Sequence, residues 1–320
     1  MRAVRYHEHG GPDVLRVEEV DDPEPGDHEV VVDVAAAGVN PVDTYFREGA
    51  YSPYTLPISP GVDVAGEVSA VGDGVEGYDP GDRVVGTGLS RDHQGACAER
   101  VAVPTDRLAH LPDAADLVEA GAAGVVAVTA FRALVDHAGL EPAEAALVHG
   151  GSGGVGHAAV QIAAATGADV VTTAAPRYHD RVEALGADRA LDYDRDDLRA
   201  AVRDGTDGGA DVVLDHRLDD YLQFDADVAA HGARVVGIGE NDPEVGFTND
   251  GVARGKDLRY QFMSMFNTPR LADPLERVAH LLGTGDLRIE VARTYDLDEV
   301  ARAHRDVMES SVFGKLVVVP

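Results

Sequence analysis

The sequence predicts an α/β protein in two parts, a β-rich domain and a doubly wound parallel sheet, followed by a return segment at the C-terminal end. Three observations carry this. Valine-rich runs broken by Pro and Gly fill the first third, an apolar strand runs straight into a glycine-rich loop near residue 150, and beyond it short apolar runs alternate with helix-forming stretches. With 320 residues and 44% hydrophobic content, the chain is long enough for two cores.

Element by element, residues 29–35 are apolar and β-branched, 66–71 keep strand character, and 81–85 leave a Gly-Asp turn into another strand. Helical periodicity begins over 117–134. Residues 145–149 form a short strand, 158–165 a helix and 169–173 a second strand, which together make a βαβ unit; 181–185 is a further short helix. Strands at 189–191, 211–214 and 234–238 extend a parallel sheet covered on both faces. Residues 258–266 read as an apolar strand, 274–282 and 297–309 as helices, and 315–319 as a last strand. The expected boundaries are 1–121, 122–266 and 267–320, with the last segment packing back onto the first.

Charge narrows the function. The formal net charge is −30, from 57 Asp plus Glu against 27 Lys plus Arg, which repels a nucleic-acid backbone over most of the surface. Only Lys256 and Lys315 are lysines, Asp outnumbers Glu about two to one, and the charges are spread along the whole chain. Such a surface is expected of a halophilic protein, in which salt screens self-repulsion; an ordinary acidic enzyme is the alternative. Tyr6 and its neighbours lack the apolar run of a signal peptide, and no uninterrupted apolar stretch of about 18 residues is seen, so a cytoplasmic protein with no membrane span is expected. The single cysteine, Cys97, forms no internal disulfide and no cysteine cluster for zinc.

The motif with the most chemical content is Gly151-Ser152-Gly153-Gly154-Val155-Gly156, a GxGxxG pattern that follows a strand and opens a helix. Gly151 is expected to make the tight turn, Gly153 to let the backbone approach a pyrophosphate, and Gly156 to pack helix against strand, with the helix N-terminus supplying amides and positive dipole. The second strand ends at Thr173 without the carboxylate that holds an NAD ribose, and Arg177 follows. A guanidinium there suits the 2′-phosphate of NADPH; a solvated loop charge is the other reading.

The segments Ala37-Gly38-Val39-Asn40-Pro41-Val42-Asp43, Pro60-Gly61-Val62-Asp63-Val64-Ala65-Gly66, Gly81-Asp82-Arg83-Val84 and Val148-His149-Gly150 running into the glycine motif are distinctive in combination. Together they resemble the zinc-independent quinone oxidoreductase branch, which includes zeta-crystallin, of the medium-chain dehydrogenase/reductase superfamily. The resemblance covers nearly the whole chain. It implies a GroES-like catalytic domain plus a Rossmann-type domain, with Phe313-Gly314-Lys315-Leu316-Val317-Val318 as the closing strand. It also implies no catalytic zinc, because Asn40 and Gly61-Val62-Asp63 stand where zinc-containing relatives have cysteine and a Gly-His-Glu motif.

What the resemblance implies for the site is NADPH-dependent, metal-free hydride transfer to a quinone or conjugated carbonyl compound. Asn40, Tyr45, Tyr51 and Tyr54 are the catalytic candidates, as donors to substrate or orienting groups; otherwise Asn40 is a turn residue and the tyrosines are structural anchors. Thr129, Ser152, Gly154, Val155, Thr173, Tyr193, Gly239 and Lys315 join Gly151, Gly153, Gly156 and Arg177 as cofactor-side candidates. The loop at Asp215-His216-Arg217-Leu218-Asp219-Asp220 departs from the family's glycine-rich form. A homodimer is expected, with 258–266 offering a strand edge. Competing readings are an enoyl-thioester or alkenal reductase, and a nucleotide-binding protein without turnover.

Overall fold

A computed structural model describes residues 1–51 and 55–320, and the chain divides into two units, Met1–Val128 with Thr268–Pro320, and Thr129–Asn267. Among the described residues, the first unit is built on a seven-stranded sheet. Its spine is Glu29–Val39, which pairs antiparallel with Val64–Val71, with Arg100–Pro104 and with Lys315–Val318. The C-terminal strand is therefore part of this unit's core: Leu316 and Val318 are buried with Val30, Val32, Val39, Tyr295, Leu297 and Val300. The division falls inside the helix Leu117–Phe131, seven residues later than expected at 121/122. That helix continues as one π-turn segment, Arg132–His137. Leu117–His137 is long and apolar enough to cross a membrane, which the sequence reading did not expect, but 72% of its apolar window is buried within the protein, as in a core helix.

The second unit is a six-stranded parallel sheet among the described residues. Across the sheet run Arg189–Leu191, Asp169–Thr173, Ala145–Val148, Ala210–Asp215, Ala229–Gly237 and Arg259–Phe262, the order 3-2-1-4-5-6 of a Rossmann-type domain. One row of side chains, Val171, Leu147, Val213, Val235 and Tyr260, crosses five strands in register. Leu198, Ala201 and Val202 of one helix, and Phe224 and Val228 of another, cover that row. The alternation of period two along each strand puts these residues on one face. Strand order reverses between Ala145–Val148 and Ala210–Asp215, and at such a switch point ligands collect beyond the carboxyl ends of the strands.

Two expectations fail in length or kind. The strand expected over 258–266 stops at Phe262 and gives way to a 3-10 turn at Met265–Asn267. Asn40 heads a helix, Pro41–Glu48, that the strand-dominated reading of the first third missed. Pro41 sits at its first turn, where a missing N–H costs nothing, and Gly49 closes it at φ +86°.

Candidate functional site

In the second unit the strand Ala145–Val148 leads through His149 to Gly150, whose φ of +71° makes the turn expected of Gly151. The amides of Gly150 and Gly151 are held by the hydroxyl and carbonyl oxygens of Thr173, at 3.0 and 2.9 Å. Thr173 is buried and latches the loop to the second strand. A Cβ on Gly151 would lie 2.1 Å from Thr172 Oγ1, and one on Gly156 would lie 2.0 Å from the Gly150 carbonyl oxygen. On Gly153 it would meet one atom, at 3.3 Å. Gly151 and Gly156 therefore let the loop fold onto the sheet and helix, while Gly153 leaves its outer side open. The helix begins at Gly154, so the first amides, from Gly154, Val155 and Gly156, have no intrahelical acceptors and Ser152 sits beside them.

The other cofactor-side candidates come from several different elements. Arg177 follows the second strand with its guanidinium over the Tyr178 ring at 4.6 Å. Tyr193 is partly exposed beyond the third strand. Gly239 follows the fifth strand; its carbonyl accepts from Leu218 and a Cβ there would lie 3.2 Å from the His216 carbonyl oxygen. Thr129 is nearly buried on its helix.

In the first unit Asn40, Asp43, Asp63, Thr87 and Lys315 form one buried polar network. Asn40 Nδ2 donates to Asp63 (2.8 Å), and Asn40 Oδ1 accepts from Lys315 Nζ, which also donates to the Val39 carbonyl (2.7 Å). Asp63 Oδ1 accepts from the Thr87 hydroxyl (2.6 Å) and the Val125 amide (2.7 Å). Asp43 accepts from the Asn40 and Val62 amides, which secures the first turn of Pro41–Glu48. Glycine makes room for the Asp63 carboxylate: a Cβ on Gly38 or Gly124 would lie 2.8 or 2.3 Å from its oxygens. Burial pushes the Asp43 and Asp63 carboxyls up and the Lys315 ammonium down; their mutual attraction opposes both effects.

This network takes in two of the expected site residues, Asn40 and Lys315. Lys315 is a buried counter-ion of two carboxylates, with two of its three N–H groups donated to Asn40 and Val39. Asn40 is 1% exposed, with Nδ2 donating to Asp63 and Oδ1 accepting from Lys315, so its side chain is held within the network. Sequence reasoning missed Asp43, Asp63 and Thr87, although acids three residues after Asn40 and two after Gly61 were in view. Tyr45 projects from the same helix and is 36% exposed, with Tyr51 packed edge-on at 6.2 Å. Tyr54 lies outside the described residues.

A zinc ion does not fit this donor set. Asn40 and Asp63 already satisfy one another, Lys315 supplies a positive charge between the carboxylates, and no group of three His, Cys, Asp or Glu side chains among the described residues is arranged to hold a metal.

Elsewhere in the first unit, the His304 Nδ1 accepts from Arg47 Nη1 at 3.0 Å. Burial, then the Arg47 charge, lowers His304 to about 3, so the unfolded chain takes up a proton that the folded one refuses. Its stabilising contribution is present above about pH 6.5 and is lost as pH falls toward its folded value. His304→Gln, which keeps an acceptor, is expected to gain on the parent by about 1.4 kcal/mol per pH unit between about pH 6 and pH 4 in denaturant unfolding. A pH-independent difference would contradict this origin.

The "Alcohol dehydrogenase GroES-like domain" family matches residues 26–113 and the "Zinc-binding dehydrogenase" family matches 185–318. The chain is similar to the quinone oxidoreductase of Lama guanicoe, 35% identical over 100% of this chain and 97% of that protein. It is 33% identical to the quinone oxidoreductase of Homo sapiens over 100% and 98%. Among solved structures it resembles Escherichia coli quinone oxidoreductase complexed with NADPH, with TM-score 0.89, 29% identity and complete coverage of both chains. It also resembles an NAD-dependent alcohol dehydrogenase, with TM-score 0.92, 33% identity and the same coverage.

Proposed function

Because the chain belongs to the quinone oxidoreductase family of the medium-chain dehydrogenase/reductases, we propose that this oxidoreductase transfers a hydride from NADPH to a quinone or a conjugated carbonyl compound without a metal. The observation that carries the reading is the cradle at the switch point of the second unit, where Gly151 and Gly156 leave no room for a Cβ and Gly153 leaves its outer side open. The residues present fit a dinucleotide. Amides of the loop and helix N-terminus would hold the pyrophosphate, and Arg177 would pair with the 2′-phosphate beside Tyr178 and Tyr193. When bound, the cofactor supplies the hydride.

The chain's own contribution to the acceptor is positioning and hydrogen bonding. Tyr45, exposed on the helix that Asn40 heads, is the hydroxyl proposed to donate to the oxygen that gains charge, with Tyr51 as its aromatic neighbour. Asn40 acts through that helix: its amide ties the first turn to Asp63 and Lys315. An enone would leave an enolate, to be protonated by water or by the Tyr45 hydroxyl. The metal-free reading is supported by the donor set, in which Lys315 supplies the positive charge. A reductase acting on enoyl thioesters or alkenals, or a binding protein without turnover, would share the cradle but not the acceptor range.

We further assign a cytoplasmic, halophilic homodimer. The edge strand Arg259–Phe262 carries Phe262, 60% exposed, and is the edge proposed to pair with a second copy. The acidic, lysine-poor composition supports salt-dependent folding. Steady-state assays at molar salt with benzoquinones, naphthoquinones, alkenals and enoyl thioesters test the activity. Turnover confined to enoyl thioesters would reject the quinone reading, and no oxidation of either cofactor would favour binding alone. Arg177→Ala is expected to raise KM for NADPH about tenfold and leave NADH unchanged. Equal losses with both cofactors would remove Arg177 from the 2′-phosphate.

A further inference from the structure

We propose that Asp215 and Asp225 form a buried proton-binding site beneath the glycine-rich loop, and that release of its proton weakens dinucleotide binding. The linkage to binding rests on the dinucleotide reading above; the proton site itself does not.

Asp215 ends the strand Ala210–Asp215 at the switch point, and Asp225 comes from the helix Leu218–Val228. Both residues are fully buried. One oxygen of each is hydrogen-bonded: Asp215 Oδ1 accepts from the Arg217 amide at 2.7 Å, and Asp225 Oδ1 lies 2.9 Å from His149 Nε2. The Oδ2 atoms of both have no hydrogen-bond partner, and the buried Tyr260 hydroxyl and His149 Nδ1 are likewise unpaired. The two carboxyls lie near enough to hydrogen bond to each other once one carries a proton. Two ionised carboxylates are acceptors only; a proton turns one oxygen into the donor that the cluster lacks.

The surrounding groups do not neutralise the pair. From the first strand comes His149, stacked on Tyr221 at 4.3 Å and kept neutral by burial, which lowers it to about 4. From the fourth strand's end comes His216, and from the last strand Tyr260. The helix side adds Asp220 and Asp227, both negative when ionised, and Arg217, whose side chain pairs with Asp220. Asp43 and Asp63 in the first unit have the Lys315 ammonium; this pair has no buried cation among the described residues. Burial, followed for Asp215 by the charge of Asp225, pushes Asp225 up to about 8 and Asp215 up to about 7. The pair titrates as a unit around neutrality.

The site touches the loop from two sides. His149, bonded to Asp225, is the residue before Gly150. The His216 ring, next to Asp215, lies against Gly150, 2.7 Å from where its Cβ would stand. A negative charge released here faces the same loop that would receive the pyrophosphate, so the ligand anion favours the protonated pair. Binding should therefore take up a proton above neutrality, and affinity should fall as pH rises.

NADH, which lacks a titrating 2′-phosphate, is the probe. Its Kd at constant molar salt, by cofactor fluorescence from about pH 6 to about pH 9.5, is expected to rise about fivefold for the parent chain and to stay flat for Asp225→Asn. Equal slopes in the two proteins would overturn the linkage. Infrared difference spectra of the parent chain read the proton directly, even where the variant fails to fold: a protonated-carboxyl band should disappear over the same range. A band absent at the acid end would overturn the proton site. No NADH or NADPH binding at any pH would reject the dinucleotide reading and the linkage with it, while the infrared band would still decide the proton site.

Discussion

Gly156→Ala is expected to abolish dinucleotide binding and to cost about 3 kcal/mol of stability. The added Cβ would lie 2.0 Å from the Gly150 carbonyl oxygen and 2.6 Å from its carbon, so backbone would meet backbone with no flexible side chain to give way. Either the helix Gly154–Thr166 retreats from the strand Ala145–Val148, or the Gly150 turn opens; both displace the amides that would hold the pyrophosphate. Gly153→Ala supplies the contrast. Its Cβ would meet only the Gly150 carbonyl oxygen, at 3.3 Å, so folding should be nearly preserved while the ligand side of the loop becomes crowded. Thermal unfolding and fluorescence titration of both variants check this. A Gly156→Ala protein that binds NADPH as the parent does would show that the cradle holds no dinucleotide.

The second large effect belongs to the first unit. Lys315→Met should destabilise the protein by about 3–5 kcal/mol, because it leaves the Asp43 and Asp63 charges buried without their cation and takes the donor from Asn40 Oδ1. The sign of its pH dependence separates this from a packing defect. Without the ammonium, both carboxyls hold their protons to higher pH, so the variant should recover stability as pH falls and lose it as pH rises. Asp63→Asn in the Lys315→Met background should restore part of the loss by removing one buried charge. Denaturant unfolding at several pH values measures all three, and a Lys315→Met penalty that does not vary with pH would place the effect in packing instead.

Much of this was legible because it is local. A glycine motif between a strand and a helix can be read within one stretch of about 20 residues, and the strand at Asp169–Thr173 was placed to the residue. The helix Pro41–Glu48 was not, since a short helix with polar and charged positions carries little periodicity against a valine-rich background. The roles within the glycine motif were partly misassigned for a related reason: the pattern names Gly151, but the positive φ belongs to Gly150. The bond between Lys315 and Asn40 was not legible because it joins side chains 275 positions apart.

By itself the sequence determined the two kinds of architecture, the glycine loop with its helix, and the acidic surface, because hydrophobic period, turn chemistry and composition are properties of neighbouring residues. Tertiary structure alone decided where charge is buried. It brought Lys315 to Asn40, Asp43 and Asp63, where an ammonium balances the carboxylates, and it brought Asp215 to Asp225 and His149, where none does. The state of a buried acid is set by desolvation and by whichever groups the fold packs around it, and those groups come from strands and helices far apart in the chain.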